Sequence, residues 1–134
     1  MGFGFPAAIA AKIMYPERQV VAVAGDGCFM MLSQELATAV QYDANLIIIV
    51  VDNGSYGTIR MHQERDYPKR VSATDLRNPD FAAFARAFGA WGITVDSTEA
   101  FPDALTQAAK AGRPALIHVK TSVADIAPGK TLAL

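Results

Sequence analysis

Several things are scarce in this 134-residue sequence, and each absence narrows what it can be. There is one cysteine, Cys28, so an internal disulfide framework is excluded, and a reducing cytoplasm is the compartment that fits. The longest unbroken aliphatic run is Leu46 to Val51, far short of the roughly 20 residues that span a bilayer. Charge of one sign is also missing. Twelve Lys and Arg stand against 13 Asp and Glu, scattered along the chain, giving a net charge of -1. No basic patch is left to meet nucleic acid or an anionic membrane. The apolar opening stretch, Met1 to Tyr15, lacks a basic leader and is interrupted by Lys12, which argues against an export signal. No zinc-like spacing of Cys and His occurs, and no Ser-His-Asp or Cys-His arrangement is suggested. With 51% hydrophobic residues, the chain has ample material for a core.

What is present alternates between two rhythms. Gln19–Ala24 (QVVAVA) reads as a strand ending at Gly25 and Gly27, and Leu46–Val51 (LIIIVV) as a second strand covered on both faces. Between them Phe29, Leu32, Leu36 and Val40 recur at helical spacing and predict a single crossover helix. Strand, helix and strand of this length make a right-handed unit with two close parallel strands. Further on, Asn78 is the expected cap and Pro79 the start of a helix carrying Phe81, Phe84, Ala85 and Phe88. Trp91–Val95 predicts a third strand. Thr98 is the expected cap of a helix ended by Gly112, and Pro114–Lys120 a fourth strand. The stretch 124–134 has no period and reads as a loosely ordered tail. The fold class is therefore α/β, a three-layer, doubly wound, mostly parallel sheet with helices on both faces, in a single domain over 1–134. Four strands are few for such a sheet, which suggests a truncated fragment and self-association, as a homo-oligomer.

In open parallel sheets, ligands bind beyond the carboxyl ends of the strands. Two loops leave those ends: Gly25-Asp26-Gly27-Cys28, running into a helix, and Asp52-Asn53-Gly54-Ser55-Tyr56-Gly57. Glycines and exposed amides in the first favour an anion such as phosphate. An aspartate in the middle of a phosphate cradle would repel its ligand unless a cation stood between them. Asp26 and Asn53, on neighbouring strand ends, supply two hard oxygens suited to Mg²⁺ completed by phosphate oxygens and water. The chemistry implied is a metal-bridged diphosphate.

Gly25-Asp26-Gly27, then 24 residues (28 to 51), then Asp52-Asn53, resembles the motif of thiamine-diphosphate-dependent enzymes: GDG, a spacer in the twenties and an Asn-Asn pair. The opening MGFGFPAAIAAK and the later FAAFARAFG (Phe81–Gly89) resemble the acetolactate-synthase-like branch, in its C-terminal cofactor-binding domain. The resemblance implies that Asp26, Asn53 and the Ser55 carbonyl ligate Mg²⁺. It also implies that Gly25, Gly27 and Cys28, with Tyr56 and Gly57, contact thiamine diphosphate, and that Met1 lies near its aminopyrimidine. The implied activity is that of a 2-oxo-acid decarboxylase or carboligase. In the family a glutamate on a separate pyrimidine-binding domain, in cis or in trans, activates the cofactor, so this chain alone is expected to be inactive. A separate subunit of a split decarboxylase, or a non-catalytic Mg-phosphate-binding domain, are the alternatives.

Two positions depart from the family pattern. Asp52 stands where the first asparagine is expected and is not the expected ligand. Tyr56-Gly57-Thr58-Ile59-Arg60 differs from the glutamine-rich continuation of acetolactate synthases, which leaves the substrate open. The resemblance implies that Cys28 contributes its backbone rather than a reactive thiol, and His118 reads as a packed or surface strand residue.

Overall fold

The computed structural model describes residues 1–127 and 130–131. Helix α1 (Gly4–Met14) leads into strand β1 (Val21–Gly25). Strands β2 (Ile47–Asp52), β3 (Trp91–Val95) and β4 (Ala115–Lys120) join it in one sheet. Its order is β1-β2-β4-β3 and every pairing is parallel, with Val21 opposite Ile47 and Ile47 opposite Ala115. Helices cover both faces, as the α/β reading expects.

The period of two along the strands sorts the side chains. On one face Ala22, Ala24, Ile48, Val50 and Leu116 meet Phe5 of α1, Phe29, Leu36, and Phe81 and Ala85 of α5 (Phe81–Ala87). On the other, Ile47, Ala115 and Ile117 meet Ala104 and Ala108 of α6 (Phe101–Ala109). Strand β2 is buried along most of its length because it is central. The edge strand β1 is covered on one face only, and Val21 and Val23 stand exposed on the other.

Three expectations need correction. The single crossover helix is broken into α2 (Asp26–Phe29), a 3₁₀ turn (Ser33–Glu35) and α3 (Leu36–Gln41). The break is at Leu32, whose φ of −140° and ψ of 32° leave the helical region. The N-terminal loop fills it: Gly2, at φ +78°, packs against Met31 and Leu32. The cap of α5 is Asp80, whose carboxylate accepts the Ala83 amide at 3.0 Å, and Asn78 is engaged elsewhere. Thr98 does not cap α6, which begins after Ala100. Helix α4 (Gly57–Asp66) has no buried residue and so carried no apolar stripe to read. In the tail, β5 (Asp125–Ala127) pairs antiparallel with β6 (Lys130–Thr131), while 128–129 and 132–134 lie outside the described residues. No helix among the described residues is long and apolar enough to cross a membrane.

Candidate functional site

Parallel pairing of β1 and β2 puts Gly25 opposite Val51, so the two chemistry-bearing loops leave the sheet side by side. Met1, Gly25, Gly27, Cys28, Tyr56 and Gly57 share the lining of a cavity of about 270 Å³. Asp26, Asn53 and Ser55 line an adjoining cavity of about 190 Å³, with Asp125 of β5 on its rim. All nine residues singled out in the sequence are thus gathered at one end of the sheet. His62 is exposed on α4 and lines neither cavity.

Close packing explains two of the glycines. A Cβ on Gly27 would fall 2.5 Å from the Tyr56 ring, and one on Gly57 would fall 2.7 Å from Asn53 Nδ2. The first loop is therefore shaped around Tyr56 of the second, and the second loop around its own Asn53. The second loop is also fastened from outside. Thr74 O accepts the Tyr56 amide at 2.8 Å and the Ser55 hydroxyl at 3.0 Å, and Leu76 N donates to Gly54 O at 2.8 Å. Cys28 Sγ accepts the Gly2 amide at 3.2 Å, tying the N-terminal loop to the site.

The two aspartates differ in what is left over. An ionised carboxylate has about four acceptor positions. Asp52 fills them. Oδ1 accepts from Gly54 N (2.9 Å) and Asn78 Nδ2 (2.8 Å), and Oδ2 from Lys120 Nζ (2.6 Å) and His118 Nε2 (2.7 Å), the latter with Nε2 carrying the hydrogen. Burial pushes this carboxyl up, but Lys120, His118 and Asn78 outweigh it and hold the group well below the usual carboxylate range. Asp26 has three donors: Gly54 N (3.0 Å) and Asn78 Nδ2 (2.6 Å) on Oδ2, and Gly27 N (2.9 Å) on Oδ1. Burial, with the neighbouring Asp52 charge adding to it, pushes the Asp26 carboxyl up.

Asp26 Oδ1 therefore keeps one acceptor position open. So does Asn53 Oδ1, which accepts only the Ser55 amide at 3.0 Å, and so does the Ser55 carbonyl, which accepts the Gly57 amide at 2.8 Å. Three hard oxygens with room for one more partner suit a small divalent cation of the Mg²⁺ kind. Among the described residues, no cluster of three or more His, Cys, Asp and Glu forms a metal site of another sort.

Sequence reading missed Asn78, Asp80 and Lys120 at this end, and left Asp52 without a role. Lys120 was legible as the end of a strand, but only the pairing of Asp52 with Lys120 across β2 and β4 puts them together. Of the two readings of His118, packed or surface, the structure shows the packed one: it is 1% exposed, lies edge-on to Phe81 at 5.0 Å, and its Nδ1 has no hydrogen-bond partner among the described residues.

The family model described as thiamine pyrophosphate enzyme, C-terminal TPP-binding domain, matches residues 1–119. The chain belongs to that family. Within the TPP-binding family, it is 38% identical over 140 residues to an acetolactate synthase large subunit of Parasynechococcus marenigrum, covering 99% of this chain and 23% of that protein. It is 39% identical over 134 residues to a putative thiamine pyrophosphate-containing protein, YdaP, of Bacillus subtilis, covering 97% of this chain and 22% of that one. The structure of a thiamine diphosphate-dependent 4-hydroxybenzoylformate decarboxylase from Rhodococcus jostii superposes with a TM-score of 0.84 at 34% identity, over 91% of this chain and 23% of that one. The chain thus spans less than a quarter of these relatives. It is the TPP-binding C-terminal domain of acetolactate-synthase-like enzymes.

Proposed function

We propose that this TPP-binding domain holds the diphosphate of thiamine diphosphate through Mg²⁺, as part of a 2-oxo-acid decarboxylase or carboligase. The observation that carries the reading is the set of three oxygens, on Asp26, Asn53 and Ser55, each with one open acceptor position beside a single cavity. Asp26 and Asn53 ligate the cation with their side chains and Ser55 with its carbonyl. Gly25, Gly27 and Cys28 would hold the diphosphate, and Met1, Tyr56 and Gly57 line the same cavity.

When bound, thiamine diphosphate supplies a nucleophilic carbon and an electron sink for the carbonyl of a 2-oxo acid. The chain's own part is to place that group and keep it still. The glycines allow close approach, and the Thr74 to Leu76 segment braces the second loop. Activation of the cofactor falls to a pyrimidine-binding domain, in cis or in trans, and the 134 residues alone do not turn over substrate. Support for a 2-oxo-acid substrate comes from relatives whose names describe acetolactate synthesis and 4-hydroxybenzoylformate decarboxylation.

The test combines the chain with a pyrimidine-binding domain from an acetolactate-synthase-like relative, adds Mg²⁺ and thiamine diphosphate, and follows consumption of pyruvate and of aromatic 2-oxo acids. Turnover by the pair and none by either half is the expected result. No turnover by the pair with bound cofactor and any of these acids would contradict the enzymatic reading.

A further inference from the structure

Asn78 belongs to neither loop of the cofactor motif, yet it reaches both. Its amide nitrogen lies 2.6 Å from Asp26 Oδ2 and 2.8 Å from Asp52 Oδ1, contacts that span 52 and 26 positions of sequence. A side-chain amide carries two hydrogens, so one can serve each carboxylate. The same two oxygens share a second donor, the Gly54 amide. Two buried like charges are thereby kept apart by N–H groups aimed at both.

The far side of Asp52 is fixed by His118 and Lys120 on β4. The backbone around Asn78 is fixed as well. Upstream, Thr74 and Leu76 bond to the second loop, and downstream Asp80 caps α5. Asn78 is therefore a short strap between a rigid helix start and an immobilised carboxylate. The one group it can still orient is Asp26.

We infer that Asn78 is a positioning residue for Asp26, holding Oδ2 so that Oδ1 stays turned to the cation. The inference rests on the reading of Asp26 as a metal ligand. Groups that orient metal ligands typically change metal affinity by 10- to 100-fold when removed. Asn78 acts through Asp26, so its effect should depend on the Asp26 carboxylate being present.

The experiment titrates the full 134-residue chain with Mn²⁺ and follows paramagnetic broadening of the Gly25, Asp26 and Gly27 amides by NMR. Asn78→Ala is expected to weaken Mn²⁺ binding by about 10- to 100-fold, with the Ile117 and Ala104 amides of the core unshifted. Asn78→Asp keeps the side-chain shape but removes both donors, and should weaken binding at least as much. In an Asp26→Ala background, Asn78→Ala should change the residual affinity less than twofold, because the group it orients is gone. Affinity within twofold of the parent in both Asn78 variants, or an equal loss with and without Asp26, would overturn the inference. Absence of broadening in the parent chain would instead overturn the metal reading of Asp26, and this inference with it.

Discussion

Asp26 and Asp52 sit at the ends of adjacent strands, 3% and 4% exposed, and share two hydrogen-bond donors. In the β2 loop, four donors saturate Asp52, two of them the side chains of Lys120 and His118. In the β1 loop, Asp26 meets only neutral N–H groups and is left one donor short. The difference lies in the neighbouring strand. β2 runs beside β4, which supplies a lysine and a histidine, whereas β1 is the edge of the sheet among the described residues. A buried carboxylate that is fully paired is a structural element. One that is deliberately underpaired at a cavity is free to take a cation.

That contrast can be broken from either side. The largest effect is expected for Asp26→Asn. It removes the charged oxygen while keeping the side-chain size, so Mg²⁺-dependent binding of thiamine diphosphate should fall on the order of 100-fold or more, a step beyond the loss typical of an outer partner. The fold should survive, since a desolvated carboxylate has been neutralised. Calorimetric titration and a thermal melt on one sample check both halves. For Asp52→Ala the order reverses. It strands the buried His118 Nε2 and a lysine, so unfolding stability should drop by about 3 kcal/mol in denaturant melts. A loss below about 1 kcal/mol would mean that Asp52 is not the structural member of the pair.

The smallest effect is in the pH dependence of stability. Asp52 has a depressed folded pKa, so its contribution is present above the unfolded carboxylate value, about 3.9, and is lost as pH falls below it. Asp26 has a raised folded pKa, so its ionisation works against folding at neutral pH and that penalty vanishes on acidification. Chemical melts from pH 7 to pH 3 should therefore show any advantage of Asp26→Asn over the parent shrinking toward zero. The deficit of Asp52→Ala should hold steady down to about pH 4 and begin to shrink only below it. Parallel curves would contradict the opposite signs.

The parts of this fold with a strong period were legible in the sequence. The four strands appear within two residues of where their apolar runs predict them, most plainly the central β2, which is apolar on both faces. Glycine and aspartate at strand ends pointed to the cavity residues for the same kind of reason, since spacing along β1 and β2 translates directly into proximity. Elements without a buried face were not legible. Helix α4 buries nothing, so nothing marked it. Asn78 in front of Pro79 looked like a helix cap, and Asp80 two residues later has the same local chemistry. Only tertiary contacts separate the two. The part played by Asp52 depended on Lys120 and His118, 68 and 66 residues away, and no local pattern connects them.

The central claim is that the β1 and β2 loops form a Mg²⁺-dependent half-site for a diphosphate. It is tested most directly by amide NMR of the chain titrated with thiamine diphosphate, with and without Mg²⁺. The expected result is a set of metal-dependent shifts centred on Gly25 to Cys28 and Asn53 to Tyr56, absent in Asp26→Ala and Asn53→Ala. Shifts that are indifferent to Mg²⁺, or that persist in both variants, would contradict it.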